Sequence, residues 1–204
     1  MDRDTERALI ERAIAGDRAA AGEFIRAHQA SVYAYLLRMC GSPHLAEDIA
    51  QEAFVRVLSN LDRFDFRYRF STWLFTIARR LYLNAAQKHR PAFDSDRVEQ
   101  SVGPWGEPGD PADSGEARVR QREVLDRALR RLSAEQREII VLFHQQDWPI
   151  ALIARHMEMP EGTVKSHLHR GRRRLRHLVE QDPRLAGCVD RGLLAFTENP
   201  EVER

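Results

Sequence analysis

Apolar residues recur along most of this chain at steps of three and four, not at the step of two that a half-buried strand requires. Leu9, Ile10 and Ala13 predict a first short helix over 5–15, with Gly16 at its C-terminal end. Asp17 is placed to cap a longer helix carrying Phe24, Ile25, Val32, Tyr35, Leu36 and Met39, closed by Gly41. Ser42-Pro43 is a cap residue followed by proline at the first helical position. It opens a third helix, in which Ala46, Ile49, Ala50, Ala53, Phe54, Val57 and Leu58 form the inner stripe. Asp48, Gln51, Glu52 and Arg56 lie on its polar flank. After Leu61 aromatic and basic residues alternate, in the order LDRFDFRYRF. A fourth helix then begins at Phe70, with Phe70, Trp73, Leu74, Ile77, Ala78, Leu81 and Ala85 inward.

The periodicity stops at Pro91. Residues 91–116 are rich in Pro, Gly, Ser and acid, the composition of a mobile acidic linker. Trp105 is its one large apolar residue, and it reads equally as a docking anchor or as a tryptophan tolerated in a loop. Helical spacing resumes with Val124, Leu125, Ala128, Leu129 and Leu132. Ser133 and Gln136 then form a capping-box pattern ahead of Ile139, Ile140, Leu142 and Phe143. Ile150, Ile153, Ala154 and Met157 share one face of a short helix, and only Glu158 and Met159 separate it from Pro160. Pro160 stands where the last helix starts, over 161–180. Val164, Leu168, Leu175 and Leu178 face a core there, while Lys165, Arg170, Arg172, Arg173, Arg174 and Arg176 crowd the rest of its surface. Two helices joined so tightly, the second one basic, predict a helix-turn-helix whose second helix enters a DNA major groove. The plain alternative is a solvated basic face. The single sign of the charge and the small apolar residues favour DNA. The chain is therefore expected to be all-α, with two small helical domains joined by a flexible acidic linker. The expected parts are an N-terminal helical bundle at 1–90, the linker at 91–117, the helix-turn-helix domain at 118–182, and an unassigned tail at 183–204.

Composition narrows this further. A net charge of +1 excludes a uniformly basic protein, so any nucleic-acid affinity must come from local patches. Cys40 and Cys188 lie far apart, outside any metal or redox spacing, which fits a reducing cytoplasm with no structural disulfide. No apolar run is long enough to span a bilayer, and the charged N-terminus does not read as a signal peptide. No nucleophile with a neighbouring base, phosphate-cradling glycine loop or paired metal carboxylates is present, so neither catalysis nor a cofactor is expected. His144, His156, His167, His169 and His177 lack Cys or carboxylate partners at ligand spacing. They read as surface or DNA-facing residues, with no metal expected.

The order of motifs, AEDIAQEAFVRVL and RFSTWLFTIAR, an acidic stretch, then LSAEQREIIVL and PEGTVKSHLHRGRRRLR, resembles the extracytoplasmic-function group of bacterial sigma-70 family RNA polymerase sigma factors. The resemblance covers roughly residues 5–90 and 118–180. It implies a protein that joins core RNA polymerase through the β′ coiled coil and the β flap, binds promoter DNA and directs initiation. An anti-sigma factor is a further candidate partner, and no membrane insertion is implied. Asp48, Gln51 and Glu52 are then the core-docking residues. Phe64, Tyr68, Arg69, Arg79, Arg80, Asn84 and Lys88 are assigned to the −10 element and its single strand. Thr163, Lys165, Ser166, His169, Arg170 and Arg173 are assigned to the −35 major groove. Three features depart from the family pattern. Arg80 stands where an asparagine is common, His167 and His169 where arginine and an aromatic residue are, and Glu158 where a turn glycine is frequent. Promoter sequence therefore cannot be copied from a relative. A stand-alone helix-turn-helix regulator is the alternative, and it would not need residues 5–90.

Overall fold

The computed structural model describes residues 3–88 and 125–181, which fall into two units, one on each side of the expected linker. The expected linker, the tail, Trp105 and Cys188 lie outside the described residues. All regular structure among the described residues is helical.

In the first unit α1 (Arg3–Ile14), α2 (Arg18–Cys40), α3 (Pro43–Leu58) and α4 (Phe70–Lys88) pack together, with a 3-10 turn at Leu61–Arg63 between α3 and α4. Local chemistry sets the boundaries. Gly16, at φ 91°, makes the left-handed corner after α1. The Asp17 carboxylate accepts from the Ala19 and Ala20 N–H groups at 2.9 and 3.1 Å and so caps α2. Those bonds, with the Arg12 guanidinium, hold its pKa below the usual carboxylate range. Gly41, at φ 71°, ends α2, and its N–H reaches the Leu37 carbonyl. Ser42 caps α3 ahead of Pro43, a pairing worth about 1 kcal/mol.

Phe24, Val32, Tyr35, Leu36, Ile49, Phe54, Val57, Phe70 and Leu74 fill the core. At about 1.5–3 kcal/mol for each large side chain taken from water, this burial drives the fold. Phe75 belongs to the core too: it is buried and packs on Tyr35 with centroids 5.1 Å apart. The expected inner stripe of α4 omitted it and included Trp73, Ile77, Leu81 and Ala85, which are only half-buried. α4 packs against both α2 and α3, so its covered face is wider than one stripe and rotated from it. Tyr82 crosses to α2, its hydroxyl donating to the Met39 carbonyl at 3.2 Å.

The second unit holds helical residues 125–130 (α5), α6 (Ala134–Gln145), α7 (Ile150–Met157) and α8 (Glu161–Gln181). Ser133 and Gln136 make the reciprocal capping box predicted for α6. Arg137 donates to the Leu129 and Arg130 carbonyls at 3.1 and 3.2 Å, satisfying the end of α5. Val141 and Glu138 join Ile139, Ile140 and Leu142 in the interior, whereas Phe143 is half-buried.

Candidate nucleic-acid interface

The turn between α7 and α8 forms in the left-handed region. Glu158, at φ 55°, closes α7, and its N–H returns to the Ala154 and Arg155 carbonyls. This is the conformation that glycine adopts without Cβ strain, so the residue expected to stand in for glycine has a glycine-like backbone. α8 then starts at Pro160, whose carbonyl takes the N–H groups of Thr163 and Val164.

On α8, Val164, Leu168, Gly171 and Leu175 face inward. Gly171 brings α8 close to α6: a Cβ there would lie 2.7 Å from the Ile140 Cδ1 atom, so any side chain must displace the end of Ile140. This close approach seats α8 against the core and fixes which face it turns outward. Lys165, Ser166, His169, Arg170 and Arg173 are all exposed. Steps of three and four place them on one side of the helix. Thr163 is half-buried at its start. Between Glu161 and Glu180 the helix holds no acid, so this face has one sign. The Ser166 hydroxyl donates to the Gly162 carbonyl at 2.9 Å, and Arg170 Nε donates to the Ser166 carbonyl at 3.2 Å.

Arg172 departs from the expected arginine surface. Its side chain folds inward, the guanidinium 5.1 Å from the Phe143 ring centroid and Nε donating to His144 Nε2 at 3.1 Å. Burial and the adjacent guanidinium push His144 down to about 4, so its ring is neutral and can accept that bond. His156, likewise expected at the surface, is buried. Its Nε2 lies 3.5 Å from buried Glu138, and its ring meets Trp148 edge-on. Polarity alone places the histidines of α6 and α7 at the surface; their partners draw them inward. His169 and His177 are exposed, and His167 is half-buried. Among the described residues no group of three or more His, Cys, Asp or Glu is arranged to hold a metal ion.

In the first unit the residues assigned to single-stranded DNA divide. Tyr68 is 48% exposed, and Arg69, Arg80, Asn84 and Lys88 are exposed, while Arg79 is half-buried. Arg80, Asn84 and Lys88 rise along one face of α4 at steps of four, beside half-buried Trp73. Phe64 is not an open stacking surface: it is 8% exposed and packs against Phe66, Phe70 and Trp73 with centroids 5.2–5.5 Å apart. Alternating aromatic and basic residues cannot reveal such a cluster, because tertiary packing decides which rings turn inward. On α3, Asp48, Gln51 and Glu52 are exposed together, and Glu52 pairs with Arg56 at 2.6 Å. Val55 is 59% exposed at a position that adjoins this flank, and apolar periodicity gave no sign of it. No described helix is long and apolar enough to cross a membrane.

Comparison with known proteins agrees with this layout. The family model for sigma-70 region 2 matches residues 24–92, and that for sigma-70 region 4 matches residues 122–175. The chain is 34% identical over 172 residues to the ECF RNA polymerase sigma factor SigW of Bacillus subtilis, covering 79% of this chain and 89% of that protein. It is 32% identical to the ECF sigma factor SigL of Mycobacterium tuberculosis, covering 82% of this chain and 96% of the relative. Among solved structures it resembles the sigma factor RpoE from Bartonella quintana, crystallised with the anti-sigma factor NepR. That likeness has a TM-score of 0.61 at 26% identity and covers 79% of this chain and 97% of that one. CnrH, solved with the cytosolic domain of CnrY, shares the fold at a TM-score of 0.63 and 23% identity, over 87% of this chain and 99% of that one.

Proposed function

The chain belongs to the extracytoplasmic-function group of sigma-70 family RNA polymerase sigma factors, and from that membership we propose that it binds core polymerase in the cytoplasm, recognises −35 and −10 promoter elements and opens the DNA strands. The observation that carries this reading is that one chain exposes two separate faces with the chemistry nucleic acid needs: the one-signed face of α8, and Tyr68 with Arg69, Arg80 and Asn84 around the start and outer face of α4. In α8, Lys165, Ser166, His169, Arg170 and Arg173 meet the −35 major groove, with Thr163 at the helix start. Arginine can take guanine bidentately, and the shorter polar groups position phosphates. In the first unit an exposed tyrosine offers a face for an unstacked base, and the cations, half-buried Arg79 included, follow the phosphates. Phe64 acts there from behind, as packing under Phe66 and Trp73.

Asp48, Gln51 and Glu52, with Val55 beside them, suit a basic helical partner such as the polymerase β′ coiled coil. The second unit would meet the β flap. An anti-sigma protein is the partner class carried over from the Bartonella relative. The domain roles follow: residues 1–90 dock and hold the −10 region, and 118–182 read the −35 element.

The test is transcription from a pool of genomic promoter fragments by purified core polymerase, with and without this chain, with permanganate probing. The expected result is chain-dependent transcripts with reactive thymines near −10. Duplex binding that needs neither core polymerase nor the first unit would overturn the reading in favour of a stand-alone helix-turn-helix regulator.

A further inference from the structure

The region 2 match begins at residue 24, so α1 lies outside it. The side chains of α1 nevertheless converge on the loop that presents Tyr68 and Arg69. Arg3 donates from one terminal nitrogen to the carbonyls of Phe66 and Arg67, each at 3.3 Å. The Arg7 guanidinium lies 5.0 Å from the Phe66 ring centroid. The Glu6 carboxylate faces the backbone N–H of Phe70, the first residue of α4, which offsets part of the rise that burial gives its pKa. Helix starts leave such amides without an intrahelical partner, and a side-chain oxygen just before the helix normally takes them. Here the preceding residues, Tyr68 and Arg69, carry no such acceptor suited to the task, and a carboxylate on another helix faces the Phe70 amide. The loop's own bonds are local: Asp65 pairs with Arg67 at 2.6 Å, and the Tyr68 N–H reaches the Asp65 carbonyl at 3.0 Å.

We propose that α1 is a clasp for the loop at 65–69, in which Glu6 and Arg3 are positioning residues for promoter opening. The inference rests on the sigma-factor reading and adds residues that the region 2 match does not include. Tyr68 and Arg69 lie between two anchored points, the Phe66 and Arg67 carbonyls on one side and the Phe70 N–H on the other. Anchoring both ends settles the loop's conformation before DNA arrives. Without the anchors, the cost of ordering the loop falls on the step in which a base leaves the stack.

Full-length wild type, Glu6→Ala, Glu6→Gln and Arg3→Ala would be compared on a promoter identified with the wild-type chain. The readouts are amide hydrogen exchange at residues 66–70 in the free chain, affinity for core polymerase, and opening of duplex and pre-melted promoter. Glu6→Ala is expected to speed exchange at the Phe70 amide and slow duplex opening about tenfold, the effect of losing one carboxylate–amide interaction. Arg3→Ala should act in the same direction on the amides of residues 66–69. Core affinity should stay at the wild-type level, a pre-melted template should remove the defect, and Glu6→Gln, which keeps an acceptor, should recover most of the rate. Unchanged exchange overturns the clasp. Faster exchange with unchanged opening, or a parallel loss of core affinity, overturns the positioning role. A wild-type chain that opens no promoter overturns the sigma-factor reading and this role with it, while exchange at Phe70 separately reports whether the clasp exists.

Discussion

Arg172 and His144 are joined by a 3.1 Å hydrogen bond from the guanidinium Nε to the imidazole Nε2, so an arginine within the basic stretch of α8 is committed to α6. Its neighbour Arg173 is exposed, on the face proposed to meet the groove. The two should therefore fail differently. Arg172→Ala, losing the bond and the Phe143 contact, should lower the stability of the second unit by about 1–2 kcal/mol and leave promoter discrimination intact. Arg173→Ala should leave stability alone and cost about 1–3 kcal/mol of discrimination at one base pair of the −35 element. Chemical denaturation and binding to −35 variants would separate these outcomes.

His28 should make the first unit acid-sensitive. It packs against both Phe24 and Phe70, and burial depresses its pKa from 6.5 to about 4. Its 3.7 Å separation from Glu6 is thus not an ion pair at neutral pH. Because the folded pKa lies below the unfolded one, this contribution is complete above 6.5 and is lost as pH falls toward 4, by about 3 kcal/mol in full. Glu6 works the other way: desolvation raises its pKa, so protonation relieves a cost. His28→Leu should remove the acid-labile part and leave a unit that holds or gains stability between pH 6.5 and 4.5, read by denaturant titration at each pH.

The left-handed Glu158 predicts a stabilising substitution. Glu158→Gly removes the Cβ strain at φ 55° while keeping the turn bonds to Ala154 and Arg155. A gain of about 1 kcal/mol in the second unit is expected, seen as a higher denaturation midpoint. A loss would mean that the Glu158 side chain matters more than its backbone.

Gly171 predicts the opposite. A Cβ would already crowd Ile140 at 2.7 Å and Gln136 at 3.5 Å. Gly171→Leu should destabilise the second unit by about 1–3 kcal/mol through overpacking. Because displacing α8 also moves the face proposed to meet the groove, −35 binding should fall with it. Gly171→Leu combined with Ile140→Ala should recover part of the stability.

Local chemistry was the legible part. The caps at Asp17, Ser42 and Ser133 and the corner at Gly41 depend on a few adjacent residues, and helix positions followed from spacing. What sequence did not disclose depends on a second surface. Phe75 is covered because α4 has two neighbours, and Phe64 because three aromatic residues close over it. Glu138 and His156 are interior because they face one another. Arg172 was read by its charge, although its long side chain reaches Phe143 and His144. Val55 carries no signal in the periodicity, because an apolar residue off the stripe looks incidental until its polar neighbours prove equally exposed. The contacts of Arg3 and Glu6 with the 66–70 segment span more than sixty residues of chain, and no local pattern announces them.

Each helix of the first unit packs chiefly on its sequence neighbours. Contacts so close along the chain form quickly, since little loop entropy is lost before they are gained, and an N-terminal unit can fold while the remainder is still being translated. The proposed core-docking flank of α3 would then be finished on the ribosome before Lys165 or Arg173 had been joined to the chain. During each round of synthesis there is accordingly an interval in which a nascent chain could engage a protein partner before the helix proposed to read the groove exists.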